Sequence, residues 1–408
     1  MKTIGIIAEF NPFHNGHKYL IHQAKKITGA DKVIVVCSGN FVQRGIPAIY
    51  DKYARADIAL SYGADVILEL PIFYATASAE LFARGGVSLL EQLQCVDYLC
   101  FGCEASDSNH LSTLGDILSN EPPRYKILLK EALSKGYSYP KARSLALQNY
   151  CLEEKLLSPA SVNEIMQGSN NILALEYYKA LNHFQSSIKP IAIKRQGSDY
   201  NDTSTDQIFA SSTGIRKEIF SGNLEAVRKH MPDYALKRLQ YLPAISNDDM
   251  DLLLGQKLLT NEDFSIFHGI SQELSNRILK NRNHYTSFTS FAQLLQTKNY
   301  TYTAISRALL HLCLGIKTED VESLMEQNYH TYVRVLGFKK TSSVLSTIKQ
   351  NSNLTIIGKF ADYYGNTTGI IRSTLNQAIQ CDHLYRMIQM NKTENYIPTE
   401  FERKILIK

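Results

Sequence analysis

The sequence predicts an α/β fold class built on a parallel sheet, and three observations carry that expectation. Short apolar runs alternate with helical patterns through the first hundred residues, as a parallel sheet with crossover helices requires. The stretch His14-Asn15-Gly16-His17 stands where the first apolar strand gives way to a helix. A second strand and polar loop lead into another helix start almost two hundred residues later.

The elements follow in order. Thr3-Ile4-Gly5-Ile6-Ile7-Ala8 reads as a strand over 3–8, followed by a helix near 17–27, a strand over 32–38 and a helix over 52–62. A strand over 65–70, a helix over 77–94 and a strand over 97–102 complete the first run. The helix over 52–62 carries Ala54, Ile58 and Leu60 and stops at Gly63, a residue type suited to ending helices. Ligands gather at the carboxyl ends of such strands.

Beyond Gly102 the pattern turns helical, with Pro122-Pro123 and helices expected near 125–135, 141–156 and 170–184. A strand over 188–195 then returns to the sheet. From about 225 onward helices dominate, marked by Leu252-Leu253-Leu254, Leu258-Leu259, Leu294-Leu295 and Leu309-Leu310. The segment 328–365 mixes helical and β-compatible content, including Tyr332-Val333-Arg334-Val335-Leu336-Gly337-Phe338, and its topology stays open. The expected division is therefore a Rossmann-like domain from 1–106 and 185–224, a helical insertion over 107–184, and a mostly helical C-terminal region over 225–408.

A chain of 408 residues with 44% hydrophobic content fits a large two- or three-domain enzyme. The first strand follows Met1-Lys2 with no signal-peptide pattern or bilayer-length apolar run, so a cytoplasmic protein is expected. Seven cysteines show no secreted disulfide spacing. Cys100-Phe101-Gly102-Cys103 lacks the second pair that a structural zinc site needs, and no metal ligand is assigned. The net charge of +5 is too mild to identify a polyanionic partner alone.

Two segments carry chemistry. A helix N-terminus offers unpaired N–H groups and partial positive charge to an anion; His14 and His17 add donors, and Gly16 lets the backbone come close. With 11 His and 22 Gly in the chain, an H-x-G-H match arises by chance roughly 0.02 times. The second segment, Ala210-Ser211-Ser212-Thr213-Gly214-Ile215-Arg216, follows the strand Pro190–Arg195 and a polar loop. Its hydroxyls, glycine and arginine make another anion cradle at a helix start. An ordinary Ser/Thr cap with a solvated arginine is the plainer reading of the same residues.

This pair resembles the signature of the HIGH-type nucleotidylyltransferase superfamily. The run from Gly5 to His17, with Ser38-Gly39-Asn40-Phe41-Val42-Gln43-Arg44-Gly45, Glu69-Leu70-Pro71 and Ser169-Asn170-Asn171-Ile172-Leu173-Ala174-Leu175-Glu176-Tyr177, is similar to the bacterial tRNA(Met) cytidine acetate ligases. The resemblance implies a nucleotidylyltransferase domain that activates acetate as acetyl-adenylate and acetylates N4 of the wobble cytidine, position 34, of elongator tRNA(Met). It implies ATP as co-substrate, with Mg²⁺ expected on its phosphates. The catalytic set is then His14, His17 and Arg216. Ile7, Ala8, Glu9, Phe10, Asn11, Gly16, Leu20, Gly102, Asn170 and Arg195 surround the nucleotide, and Ser211, Ser212 and Thr213 hold its β/γ end.

Lys280, Arg282, Lys298 and Arg307 lie among Tyr285, Tyr300 and Tyr302, a mixture suited to phosphate contact and base stacking; the same residues also suit solvated helix faces. Asp51, Lys52, Arg55, Glu69 and Glu80 stand as residues that line the cleft or merely form charged helix starts. A cofactor-biosynthetic nucleotidylyltransferase acting on a phosphorylated small molecule is the alternative enzyme, and an RNA-binding protein with an inactive nucleotide site is a third class. The long helical C-terminal part counts against the first of these, and intact His14, His17 and Arg216 against the second.

Overall fold

Strand β1 (Thr3–Ala8) lies at the middle of the sheet, paired in parallel with β2 (Lys32–Ser38) on one side. These elements come from a computed structural model that describes residues 2–105, 107–195, 210–365 and 367–408. The polar loop expected before the second motif falls on 196–209, outside the described residues.

A two-stranded hairpin, β3 (Phe41–Val42) and β4 (Ile46–Pro47), follows β2. Next come β5 (Val66–Leu70), parallel to β2, then β6 (Tyr98–Cys103), parallel to β1, and β7 (Lys189–Lys194), parallel to β6. The chain thus steps outward from β1 through β2 to β5, then returns to the other side of β1. That reversal opens a crevice between the carboxyl ends of β1 and β6.

Side chains alternate across the central strands. Ile4, Ile6, Val33, Val35 and Ile67 pack on one face, while Ile7, Ile34, Val36, Val66 and Leu68 pack on the other, the period-two rule for a sheet covered on both sides. Helices α1 (Asn15–Thr28), α2 (Lys52–Ser61), α3 (Ile72–Ala75) and α4 (Ala79–Gln92) connect these strands. Helix α1 ends at Gly29, where φ of 64° supplies the left-handed cap.

Between β6 and β7 the described residues form α5 (Ser108–Asn120), α6 (Pro123–Ser134), α7 (Tyr139–Glu153), α8 (Pro159–Gln167) and α9 (Ser169–His183). The sequence announces only α6, α7 and α9. Helix α5 is rich in Ser, Asn and Gly, poor helix formers, and owes its form to burying Leu111, Leu114 and Leu118. The second motif opens α10 (Ser212–Phe220).

The C-terminal part is mostly helical, and its β-compatible segment supplies strands. Strand β8 (Tyr332–Phe338) pairs antiparallel with β5, while β9 (Thr355–Ile357) and β10 (Leu406–Ile407) pair in parallel with β8. The open segment 328–365 therefore extends the sheet laid down by the first hundred residues. The added strand covers β5, whose edge would otherwise stand unpaired.

Buried charge fastens this junction. Lys52 is fully buried, its Nζ 2.8 Å from Glu69, 2.5 Å from Asp382 and 3.6 Å from Glu400. Arg334 on β8 pairs with Glu400 and lies 3.3 Å from Glu69 and 3.4 Å from Asp382, and it donates to the Tyr53 hydroxyl at 2.6 Å. Two cations thus face three carboxylates. Burial, with Glu400 and Glu69 nearby, raises the Asp382 carboxyl to about 7, so the surplus negative charge is relieved by a proton there. A raised folded-state pKa means that the native protein holds more protons than the unfolded chain between 3.8 and about 7. The contribution of Asp382 to stability therefore falls as pH rises through that window.

Replacing Lys52 by Met leaves those carboxylates facing Arg334 alone. Urea unfolding at pH 8 is expected to show a loss of about 3–5 kcal/mol, with a smaller loss at pH 5.5, where Asp382 is protonated. An unchanged midpoint at pH 8 would contradict the role given to this cluster.

Candidate active site

The crevice at the reversal point is a cavity whose rim begins with the loop from β1 to α1. Phe10 is held there at φ of 50°, a left-handed backbone that side chains other than glycine seldom adopt. The Asn11 side chain accepts from the Ile49 amide at 2.8 Å, and the Asn11 carbonyl accepts from Arg216 at 2.7 Å.

His14 is only 2% exposed and occupies the N-cap of α1. Its Nδ1 accepts from the Gly16 amide at 3.0 Å, and its own amide donates to His17 Nδ1 at 3.2 Å. Each ring therefore spends Nδ1 as an acceptor, and the hydrogen of each neutral imidazole sits on Nε2. A Cβ on Gly16 would stand 2.8 Å from the His14 ring, so only glycine permits this fit.

The two rings stack with centroids 3.8 Å apart. Burial, the neighbouring His17 and Arg195 push His14 well below the ordinary histidine range, while burial and Arg195 lower His17 to about 3. Both are neutral donors at physiological pH.

The distant motif closes on the first. His14 Nε2 lies 3.0 Å from Ser212 Oγ, joining residues 198 positions apart. Arg216 points the same way, held by the Asn11 carbonyl and by Thr213 Oγ1 at 3.1 Å. Arg195, at the end of β7, also lines the cavity, and its Nε is buried without a partner among the described residues. With Lys194, Arg195 and Arg216 against Glu9 alone, the described lining carries two surplus positive charges.

Of the sequence-derived set, Ile7, Ala8, Glu9, Phe10, Asn11, His14, Gly16, His17, Leu20, Gly102, Asn170, Arg195, Ser212 and Arg216 line the cavity. Ser211 and Thr213 do not. Ser211 is fully buried and caps α10 by accepting from the Gly214 amide at 3.0 Å, so the plain capping reading holds for it. Thr213 Oγ1 instead accepts from Arg216.

Sequence reasoning missed the apolar wall supplied by Ala79, Phe82 and Phe101, as well as Gln43. On α9 the resemblance pointed to Asn170 alone, while Leu173 and Tyr177, which share its helix face, also line the cavity. The Glu104 carboxylate accepts from the amides of Asn170 at 3.1 Å and Asn171 at 2.8 Å, fixing the start of α9.

The charges of α2 serve elsewhere. Asp51 caps that helix by accepting from the Tyr53 and Ala54 amides. Arg55, fully buried, donates to the carbonyls of Tyr50, Glu9, Ser38 and Gly39. Lys52 and Glu69 belong to the ionic cluster, and Glu80 pairs with Arg84 and Lys179. None of the five lines the cavity.

The basic residues of the C-terminal part are spread over separate elements. Lys280 and Arg282 sit at the end of helix Gln272–Asn281, with Arg282 donating to the Asn261 carbonyl at 3.3 Å. Lys298 donates to the Gly136 carbonyl at 3.1 Å. Arg307 lies on helix Tyr302–Leu314, whose backbone meets the β3–β4 hairpin at Gly45. The tyrosines are not free stacking faces: Tyr285, Tyr300 and Tyr302 pack against the core, and the Tyr285 hydroxyl donates to the Asp251 carbonyl at 2.7 Å.

The backbone clamp has a direct readout. Ring ¹⁵N shifts at pH 6 are expected to show His14 and His17 neutral with hydrogen on Nε2, whereas an exposed histidine is largely charged at that pH. A protonated Nδ1 on either ring would refute the clamp.

Comparison with known proteins gives a consistent picture. A model of the HIGH Nucleotidyl Transferase family matches residues 1–399. A tRNA(Met) cytidine acetate ligase of Clostridium perfringens is 41% identical over 88% of this chain and 90% of the relative. One from Acetivibrio thermocellus is 36% identical over the full length of both. Among solved structures, Thermotoga maritima TmcAL without ligand superposes with a TM-score of 0.93 at 32% identity, covering 100% of this chain and 99% of the other. The same protein bound with alpha-thio ATP gives 0.91 at 31% identity, with the same coverage.

Proposed function

Because the chain belongs to the HIGH nucleotidyl transferase family, and within it to the tRNA(Met) cytidine acetate ligases, we propose that its cavity binds ATP and forms acetyl-adenylate for transfer to tRNA. The observation that carries this reading is the junction of His14 with Ser212 beside Arg216 and Arg195. Two helix starts and two guanidinium groups there converge on one cavity, an arrangement suited to a triphosphate.

In this reading a carboxylate oxygen of acetate attacks the α-phosphorus of ATP and expels pyrophosphate. The Nε2 hydrogens of His14 and His17 and the guanidinium of Arg216 stabilise charge that grows on the phosphoryl oxygens. Ser212 and Arg195 hold the remaining phosphates. The apolar wall of Phe82, Phe101 and Leu173 suits the nucleoside end.

Among the described residues no group of three or more His, Cys, Asp or Glu side chains could hold a metal ion. The lining fits Mg²⁺ carried on the nucleotide rather than caged by protein.

Acetyl-adenylate then meets N4 of the wobble cytidine of elongator tRNA(Met). That nitrogen is a weak nucleophile because its lone pair is delocalised into the ring, so the acetyl group must arrive activated. The anticodon loop is already single-stranded, which lowers the cost of presenting the base. Lys280, Arg282, Lys298 and Arg307 are assigned to the RNA phosphates. Arg307 is the best placed, because its helix touches the hairpin that carries the cavity residue Gln43. The reaction belongs in the cytoplasm; no helix among the described residues is long and apolar enough to cross a membrane.

Radiolabelled pyrophosphate should exchange into ATP only when acetate is present, and His17→Ala should slow that exchange by about 10²–10³-fold. Exchange that ignores acetate would remove acetate as the activated acid. Lys280→Ala combined with Arg307→Ala should weaken tRNA binding and lower the slope of log affinity against log salt by about 2; an unchanged slope would remove both residues from the RNA contact.

A further inference from the structure

Acyl transfer has a proton to dispose of, and the described residues of the cavity offer few places for it. As N4 of cytosine bonds to the acetyl carbon, the nitrogen becomes positively charged and must lose one hydrogen before the amide is stable. The described lining contains cations, hydroxyls, two histidines and a single carboxylate. Lys194, Arg195 and Arg216 are donors only. His14 and His17 have their Nδ1 atoms filled by backbone amides and carry hydrogen on Nε2, so neither ring has a lone pair facing the substrate. Burial holds the Tyr177 phenol protonated.

Glu9 remains. It is half-buried on the cavity wall, at the carboxyl end of β1, and its Oε1 is oriented by the Gln43 amide at 2.7 Å. One amide leaves most of the acceptor positions of a carboxylate unspent. A negative side chain is also a poor neighbour for a triphosphate, so its presence in an otherwise cationic lining calls for a reason other than nucleotide binding. Burial raises its affinity for a proton, while the Gln43 amide, Arg216, Arg44 and Arg55 oppose that rise; the net result is a stronger base than an exposed carboxylate.

We propose that Glu9 is the base of the second half-reaction, accepting the N4 proton as the acetyl group moves from adenylate to cytidine. Only the backbone of Glu9 then belongs to the nucleotide-binding set. The N4 lone pair forms the new C–N bond while the carbonyl π electrons move onto oxygen. An N4 hydrogen passes to the Glu9 carboxylate. The carbonyl re-forms as the C–O bond to AMP breaks, AMP departs with that electron pair, and the carboxyl later returns its proton to solvent. The proposal rests on the acetate-ligase reading of the cavity.

Glu9→Gln preserves shape and can still accept from the Gln43 amide, but it cannot take a proton. The test follows two reactions of the same full-length protein: acetate-dependent pyrophosphate exchange, and formation of N4-acetylcytidine on a tRNA(Met) transcript supplied with synthetic acetyl-adenylate across a pH series. The expected result is acetyl transfer slowed about 10²–10⁴-fold, a far larger loss than any in exchange, and loss of the rising limb that the wild type shows on the acid side. Transfer at the wild-type rate and pH profile would overturn the proposal, as would parallel loss of exchange and transfer, which would place Glu9 in the adenylation step. Failure of the wild type to exchange or to acetylate the transcript would instead sink the ligase reading itself, so the two failures are told apart by the wild-type arm.

Discussion

Two backbone amides decide what the site can do. By occupying Nδ1 of His14 and Nδ1 of His17, they leave each ring with one hydrogen, aimed outward from Nε2, and they make proton acceptance by either ring costly. The close stacking of the rings at 3.8 Å depends on the same choice, because two imidazolium ions at that distance would repel. The remaining geometry serves this clamp. Gly16 leaves room for it, the bent backbone at Phe10 delivers the chain to it, and Ser212 Oγ stands 3.0 Å from His14 Nε2 across 198 positions of sequence.

Helix α2 is the internal brace beneath that loop. Its charged residues read from sequence either as cleft residues or as a charged helix start, and the fold spends them on a cap, on carbonyls and on carboxylates inside the protein. Arg55 reaches the backbone of Glu9, so the wall of the cavity is tied to the helix behind it. Lys52 binds acids from β5, from helix Gly369–Thr393 and from Glu400. The last third of the chain is thereby bound into the body of the nucleotide domain. Leaving either cation unpaired or absent costs far more than the pairs contribute when complete, since the ions have already been taken from water.

The legible parts of the fold were those written in local pattern. Strands β1, β2, β5, β6 and β7 announce themselves through apolar runs, and the starts of α1 and α10 through Gly16, Ser211 and Gly214. The pairing of β8 with β5 was not legible, because Tyr332–Phe338 reads as a strand without saying which edge it covers. Nor did the letters separate Ser211 from Ser212; which hydroxyl caps the helix and which faces the cavity depends on where α10 begins. The nearby tyrosines of the C-terminal part, Tyr285, Tyr300 and Tyr302, are partly buried against the core, which their letters do not announce. Sequence showed the acid at Glu9, but only the spent nitrogens of both histidines made it the odd member of the lining.

The carboxylate at the start of α9 has a directional consequence. Helices α1 and α10 begin with neutral caps, His14 and Ser211, which satisfy an amide yet leave the positive end of each helix dipole uncompensated. Glu104 instead places a full negative charge on the first amides of α9. The amides that open α9 are thus spent on a carboxylate of the protein, which leaves the starts of α1 and α10 as the two helix ends still able to attract an anion.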